Sequence, residues 1–136
     1  MGSIRQQIAV DASSRAVWDL LTTVEGVTSW WVEDARLDAR DGGRIVVGRT
    51  VEDARQEDRG SFHQVRPTRA IEIAWDPSGA GPLAGTRLEF QVGRGEGETK
   101  VHVVQSGASL DDDARRADVE AFWKGALLKL RAKLEG

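Results

Sequence analysis

The chain reads as an α+β protein in which a run of short strands is closed by one long helix. Three observations carry that reading. Residues 112–134 place Val119, Phe122, Trp123, Ala126, Leu127, Leu130 and Leu134 on one face of a helix. Residues 32–106 instead alternate apolar and polar side chains in short segments. The order strand, two helices, strands, helix segregates the helices to one side of an antiparallel sheet. A long amphipathic helix arriving after such strands must lay its apolar face on them. The Trp and Phe side chains on the facing surfaces predict a cavity between helix and sheet.

Each element has its own signal. Ile4, Ile8 and Val10 alternate with polar neighbours and suit a first strand. Asp11 or Ser13 caps a helix to about residue 22, with Ala16, Val17, Leu20 and Leu21 as its buried stripe and Trp18 beside it. A second short helix covers residues 24–30, and the chain turns at Trp31. A strand over residues 32–39 leads through the Asp41-Gly42-Gly43 turn into another over residues 44–51. Residues 52–59 are almost wholly charged and predict an exposed connection. Strands over 60–65 and 70–75 follow, separated by Pro67, which cannot donate to a ladder. Residues 76–85 hold Pro77, Gly79, Gly81, Pro82 and Gly85 and read as the main loop and the best place for mobility. A hairpin of strands 86–92 and 99–106 comes next. Ser109-Leu110-Asp111-Asp112 then opens the last helix as a weak capping box. That makes six or seven strands in one domain over residues 1–136, with no internal repeat.

Composition excludes several function classes. The 136 residues suffice for one core without a staple. A net charge of −3 with both signs evenly scattered leaves no basic stripe for phosphates, so nucleic acid is not expected as a partner. Absence of Cys removes disulfides, thiolate nucleophiles and cysteine metal sites together, and agrees with a reducing compartment. No stretch approaches the roughly 20 apolar residues of a membrane span, so no membrane insertion is expected. Residues 1–10 have no signal-peptide pattern, which makes a cytoplasmic protein the default.

The landmarks resemble a known superfamily. Val17-Trp18-Asp19 on the first helix, Trp30-Trp31 after the second and Asp41-Gly42-Gly43 before a strand resemble the START/Bet v 1-like (SRPBCC) superfamily. Gly60-Ser61-Phe62-His63-Gln64-Val65-Arg66-Pro67 resembles the G-x-V-x-E-I-x-P strand of its branch named after the activator of Hsp90 ATPase. Residues 71–75 ending in Trp, the stretch 99–107 and Trp123 complete the series, which covers residues 4–135. The resemblance implies a helix-grip fold, a curved antiparallel sheet wrapped on the C-terminal helix. Relatives bind lipids and hydrophobic small molecules, cyclise polyketides, confer resistance or act as co-chaperone domains. Gln64 and Gln105 stand where relatives often carry an acidic residue or His. The separate N-terminal domain of the eukaryotic co-chaperones has no counterpart here, which speaks against an Hsp90 role.

The candidate site is mostly aromatic. Trp30, Trp31, Trp75 and Trp123, with Phe62, Phe90, Phe122 and Leu127, either pack the core or line a hydrophobic pocket. Arg49 shares a strand face with Ile45 and Val47, so its guanidinium either points into the cavity, ready for a carboxylate, phosphate or enolate oxygen, or snorkels to water. Gln105 shares a face with Val101 and Val103 and is either a pocket hydrogen-bonding group or a rim residue. His63 and His102 lack acidic partners at ligand spacing, so no metal and no cofactor is expected. No G-x-S-x-G elbow or P-loop is present. The favoured function is binding of a hydrophobic or aromatic small molecule. The alternatives are a cyclase or aromatase using Arg49, His63 and Gln105, and a protein-interaction module marked by an exposed apolar patch.

Overall fold

A computed structural model describes residues 2–79 and 81–136. Seven strands run in chain order: β1 (Ser3–Val10), β2 (Asp34–Leu37), β3 (Arg44–Val51), β4 (Ala54–Arg66), β5 (Ala70–Trp75), β6 (Arg87–Gly95) and β7 (Glu98–Ser106). They form one antiparallel sheet in the order β1-β7-β6-β5-β4-β3-β2. Helices α1 (Ser14–Thr22) and α2 (Val24–Trp30) follow β1, and α3 (Asp113–Glu135) closes the chain. This is the α+β helix-grip arrangement, a curved sheet gripping its C-terminal helix.

The two short helices begin where side-chain oxygens replace missing backbone acceptors. Ser13 Oγ accepts from the Ala16 N–H at 3.0 Å and Thr23 Oγ1 from the Gly26 N–H at 2.9 Å. The buried stripe of α1 is Val17, Trp18 and Leu21, so Trp18 is core and Ala16 stays partly open. Trp30 ends α2 with its Nε1–H donating to the Leu20 carbonyl at 2.8 Å. That bond fixes the α1–α2 corner and thereby the place of Trp31.

Three local expectations are corrected. Residues 52–59 are not an exposed connection: only Glu52 and Asp53 turn, with φ of 51° and 66°, and β4 starts at Ala54. Two consecutive positive φ values match the twist of a two-residue hairpin. From there Gln56, Asp58, Gly60 and Phe62 alternate inward, while Arg55 and Arg59 pair outside with Asp34 and Glu57. The capping box also fails. Residues Ala108–Asp111 form a separate 3-10 turn, and α3 starts after Asp112 without a side-chain cap. Finally, the strand expected over residues 32–39 is limited to Asp34–Leu37.

A bulge in β4 between Phe62 and Gln64 inserts His63 as an unpaired residue. It restores Val65 to the inner face and leaves His63 exposed. On α3, Val119, Trp123, Ala126, Leu127 and Leu130 are buried, with Phe122 and Leu134 at the edges of that stripe.

Candidate functional site

The N-terminal half of α3 forms one wall of a cavity on the inner side of the sheet. The cavity, bounded also by the β3–β4 hairpin and the loop after β5, has a volume of about 430 Å³, within the usual range for small-molecule sites. Helix α3 contributes Val119, Phe122 and Trp123, with Arg115 and Asp118 toward solvent. Strand β3 contributes Val47 and Arg49, and β4 contributes Gln56 and Asp58. Trp31 and Val32 form the floor beyond α2, and Gly81, Pro82 and Leu83 a further wall.

Of the sequence-derived candidates, Trp31, Arg49, Gln105, Phe122 and Trp123 therefore meet around this space. Trp30, Phe62, Trp75, Phe90 and Leu127 do not line it; they are buried behind it. Trp31 packs edge-on against Trp75 and Phe90 and at a tilt against Trp123, with centroids 5.7–6.2 Å apart. Such offset and edge contacts favour a rigid aromatic floor. His63 lies on the bulge and His102 on the opposite face of β7, so neither histidine lines the cavity.

Arg49 points inward as the alternation requires. It is half-buried, and its guanidinium sits 4.5 Å from the centre of the Phe122 ring, a cation–π distance. Burial lowers its pKa below the usual arginine value, and the charge of Asp58 opposes that shift. It remains cationic at neutral pH. Among the described residues it donates no side-chain hydrogen bond and closes no ion pair, so its donors are available to a ligand.

Gln105 is neither a rim residue nor a free pocket donor. It is 1 % exposed, and its Oε1 accepts from Trp123 Nε1–H at 2.7 Å. Because indole only donates, that bond settles the amide orientation. The Nε2 group then donates to the Pro82 carbonyl at 3.1 Å and to Thr86 Oγ1 at 3.2 Å. Thr86 Oγ1 in turn donates to the Leu83 carbonyl at 2.6 Å. The amide thus ties α3, β7 and the loop wall together. Leu83 and Gly81 are buried, and the loop expected to be mobile is pinned at these points.

Asp58 was hidden in the charged run. It is 4 % exposed, on the inner face of β4 opposite Val47. Its carboxylate faces the loop: a Cβ built on Gly79 would lie 2.1 Å from Oδ1, and one on Gly81 2.1 Å from Oδ2. Only glycine can close over it there. Burial raises its pKa above the usual 3.8, against the backbone N–H groups of Gly81 and Leu83 and the Arg49 charge. The alternation Gln56-Asp58-Gly60-Phe62 was the available signal, masked by charged neighbours.

The raised pKa fixes a sign. Between the unfolded and the folded value, the native state binds more protons than the unfolded chain. Stability is therefore greatest below the unfolded value and falls as pH rises through the folded one. In urea unfolding, wild type minus Asp58→Asn should decline across that window and level off above it. A difference that is flat with pH would remove the raised pKa assigned to Asp58.

No group of His, Cys, Asp and Glu among the described residues is arranged to hold a metal ion. No helix there is long and apolar enough to cross a membrane.

A family model for activator of Hsp90 ATPase homolog 1-like proteins matches residues 11–135. The chain belongs to that family. No curated protein matches this member in sequence. Its fold is similar to a solution structure of the Aha1 dimer from Colwellia psychrerythraea, at 24% identity and TM-score 0.81, covering 99% of this chain and 97% of that one. It is similar as well to CV1439 from Chromobacterium violaceum, at 17% identity and TM-score 0.83, covering 100% and 99%. CalU16 from Micromonospora echinospora matches at 20% identity and TM-score 0.72, over 94% of this family member and 73% of that chain. At these identities the likeness extends to the fold.

Proposed function

We propose that this protein binds a hydrophobic or aromatic small molecule in the cavity between α3 and the β3–β4 hairpin. The observation that carries the proposal is the cavity itself, about 430 Å³ with Trp31, Phe122 and Trp123 on its walls and a half-buried cation, Arg49, whose donors are unused. Apolar walls supply affinity and a few fixed polar groups supply orientation. Family membership agrees with a ligand-binding fold.

An enzymatic reading draws on Asp58, because a buried ionisable group with a shifted pKa marks many catalytic sites. Asp58 lines the cavity, but its two carboxylate oxygens are packed against the glycines of the loop. Binding is favoured on that geometry. As a protein-interaction surface the chain offers little: the large exposed apolar side chains among the described residues, Val24, Val51 and Leu128, stand on three separate elements.

Tryptophan fluorescence tests the binding reading without a label, since Trp31 and Trp123 lie at the cavity. A panel of aromatic and hydrophobic metabolites should include ligands that quench saturably at about micromolar concentration. Arg49→Met should weaken oxygen-bearing aromatics about tenfold, the loss of one charge-assisted hydrogen bond. Its unfolding midpoint should stay unchanged. No response from any ligand class, checked by calorimetry, would refute the binding role. Unchanged affinity in Arg49→Met would remove that residue from the site.

A further inference from the structure

The polar end of the cavity is charge-compensated. Arg49 and Arg115 face Asp58 and Asp118, two cations against two anions around one space. Arg115 and Asp118 are exposed on α3, where solvent screens them. Arg49 and Asp58 are the pair in the interior. Arg49 is registered with Gln56, which makes Asp58 its diagonal neighbour across the two strands, at about 7 Å between side-chain origins.

Asp58 cannot turn away from that position. Gly79 and Gly81 close on its two oxygens, and Gly81 and Leu83 present backbone N–H groups to it. Arg49 is held differently, on the face of Phe122. A ligand group reaching Arg49 therefore also enters the field of a fixed buried carboxylate.

We propose that the cavity selects neutral aromatic ligands carrying a carbonyl or hydroxyl oxygen, and that Asp58 is the residue that excludes anions. A neutral oxygen accepts from Arg49 while Asp58 continues to balance the guanidinium charge. A carboxylate or sulfonate placed there meets like-charge repulsion in a partly desolvated site. Specificity of this kind comes from a repulsive element added to an attractive one. It replaces the expectation that Arg49 receives a carboxylate, phosphate or enolate oxygen with that of a neutral oxygen acceptor, and it rests on the binding role proposed above.

Calorimetric titration with two ligands sharing one ring system tests it: 2-naphthol, neutral at pH 7, and naphthalene-2-sulfonate, an anion at every accessible pH. Wild type should bind the naphthol about tenfold or more tightly than the sulfonate, as one fixed charge at this range implies. Asp58→Asn should shrink that ratio to about threefold or less. A second measurement needs no variant. Sulfonate binding to wild type should strengthen as pH falls and take up a proton, read from titrations in buffers of different ionisation heat. Asp58, the buried acid on the strand beside Arg49, is the group expected to take up that proton. Equal affinity for both ligands, or sulfonate binding independent of pH, would overturn the proposal while leaving the binding role intact. Failure of both ligands and of the wider metabolite panel to bind would overturn the binding role and this inference with it.

Discussion

Trp123→Ala should lower the unfolding free energy by about 3–5 kcal/mol from the lost ring volume alone. Trp123 is fully buried, with Phe122, Phe90 and Trp31 centred 5.2–5.7 Å away, and three rigid rings cannot collapse onto an alanine. Gln105 adds to the cost, because its Oε1 loses the donor it accepts from at 2.7 Å. A buried acceptor left unpaired costs a further 1–3 kcal/mol or so. Trp123→Phe separates the two contributions, since it keeps most of the volume and removes only the N–H. Its loss should fall in that smaller range. Urea unfolding followed by circular dichroism measures both, free of the missing fluorophore. A loss below about 1.5 kcal/mol for the alanine variant would mean that Trp123 only lines the cavity and does not hold the core together.

Gly26→Ala should destabilise the protein by about 2–3 kcal/mol, although alanine is the better helix former. The position lies in α2 where it crosses the end of α1. A Cβ there would stand 2.3 Å from the Asp19 carbonyl oxygen and 2.6 Å from Leu20 Cα. Both obstacles are backbone, so relief requires the two helices to part. Parting them stretches the bond from Trp30 Nε1 to the Leu20 carbonyl and shifts Trp31 at the cavity floor. Gly125 is the internal control. It is exposed on α3 with nothing within 4 Å of a built Cβ, so Gly125→Ala should stabilise by about 0.5–1 kcal/mol. Equal effects at the two positions would contradict the close α1–α2 approach.

Those two sites show what kind of information each level carries. The α3 stripe was legible because 3.6-residue periodicity depends only on neighbours along the chain. The inward direction of Arg49 was legible in the same way, through strand alternation from Ile45 and Val47. The β3–β4 hairpin was not. Glu52 and Asp53 occupy the two positive-φ positions where Asn-Gly would have announced the turn. Without that turn signal, the sequence around Gln56 and Asp58 reads as a solvated charge run. The register beyond Phe62 was closed to sequence for a related reason, because the one-residue bulge at His63 reverses the inside–outside assignment of everything after it.

The sequence by itself determined the α+β class, the family and the set of aromatic side chains that had to be buried. Propensity, periodicity and turn chemistry are local, and the ordered landmarks of residues 11–135 are enough to assign the family. Tertiary structure decided which aromatics face a cavity and which merely pack, for that depends on where α3, the β3–β4 hairpin and the loop after β5 meet. It also decided the role of Gln105, whose partners lie on α3 and on the loop 18 to 23 residues away in sequence. The placement of Arg49 beside Asp58 belongs to this second group. Their proximity arises only when two strands align in register, and burial then gives their charges a strength that exposed charges lack.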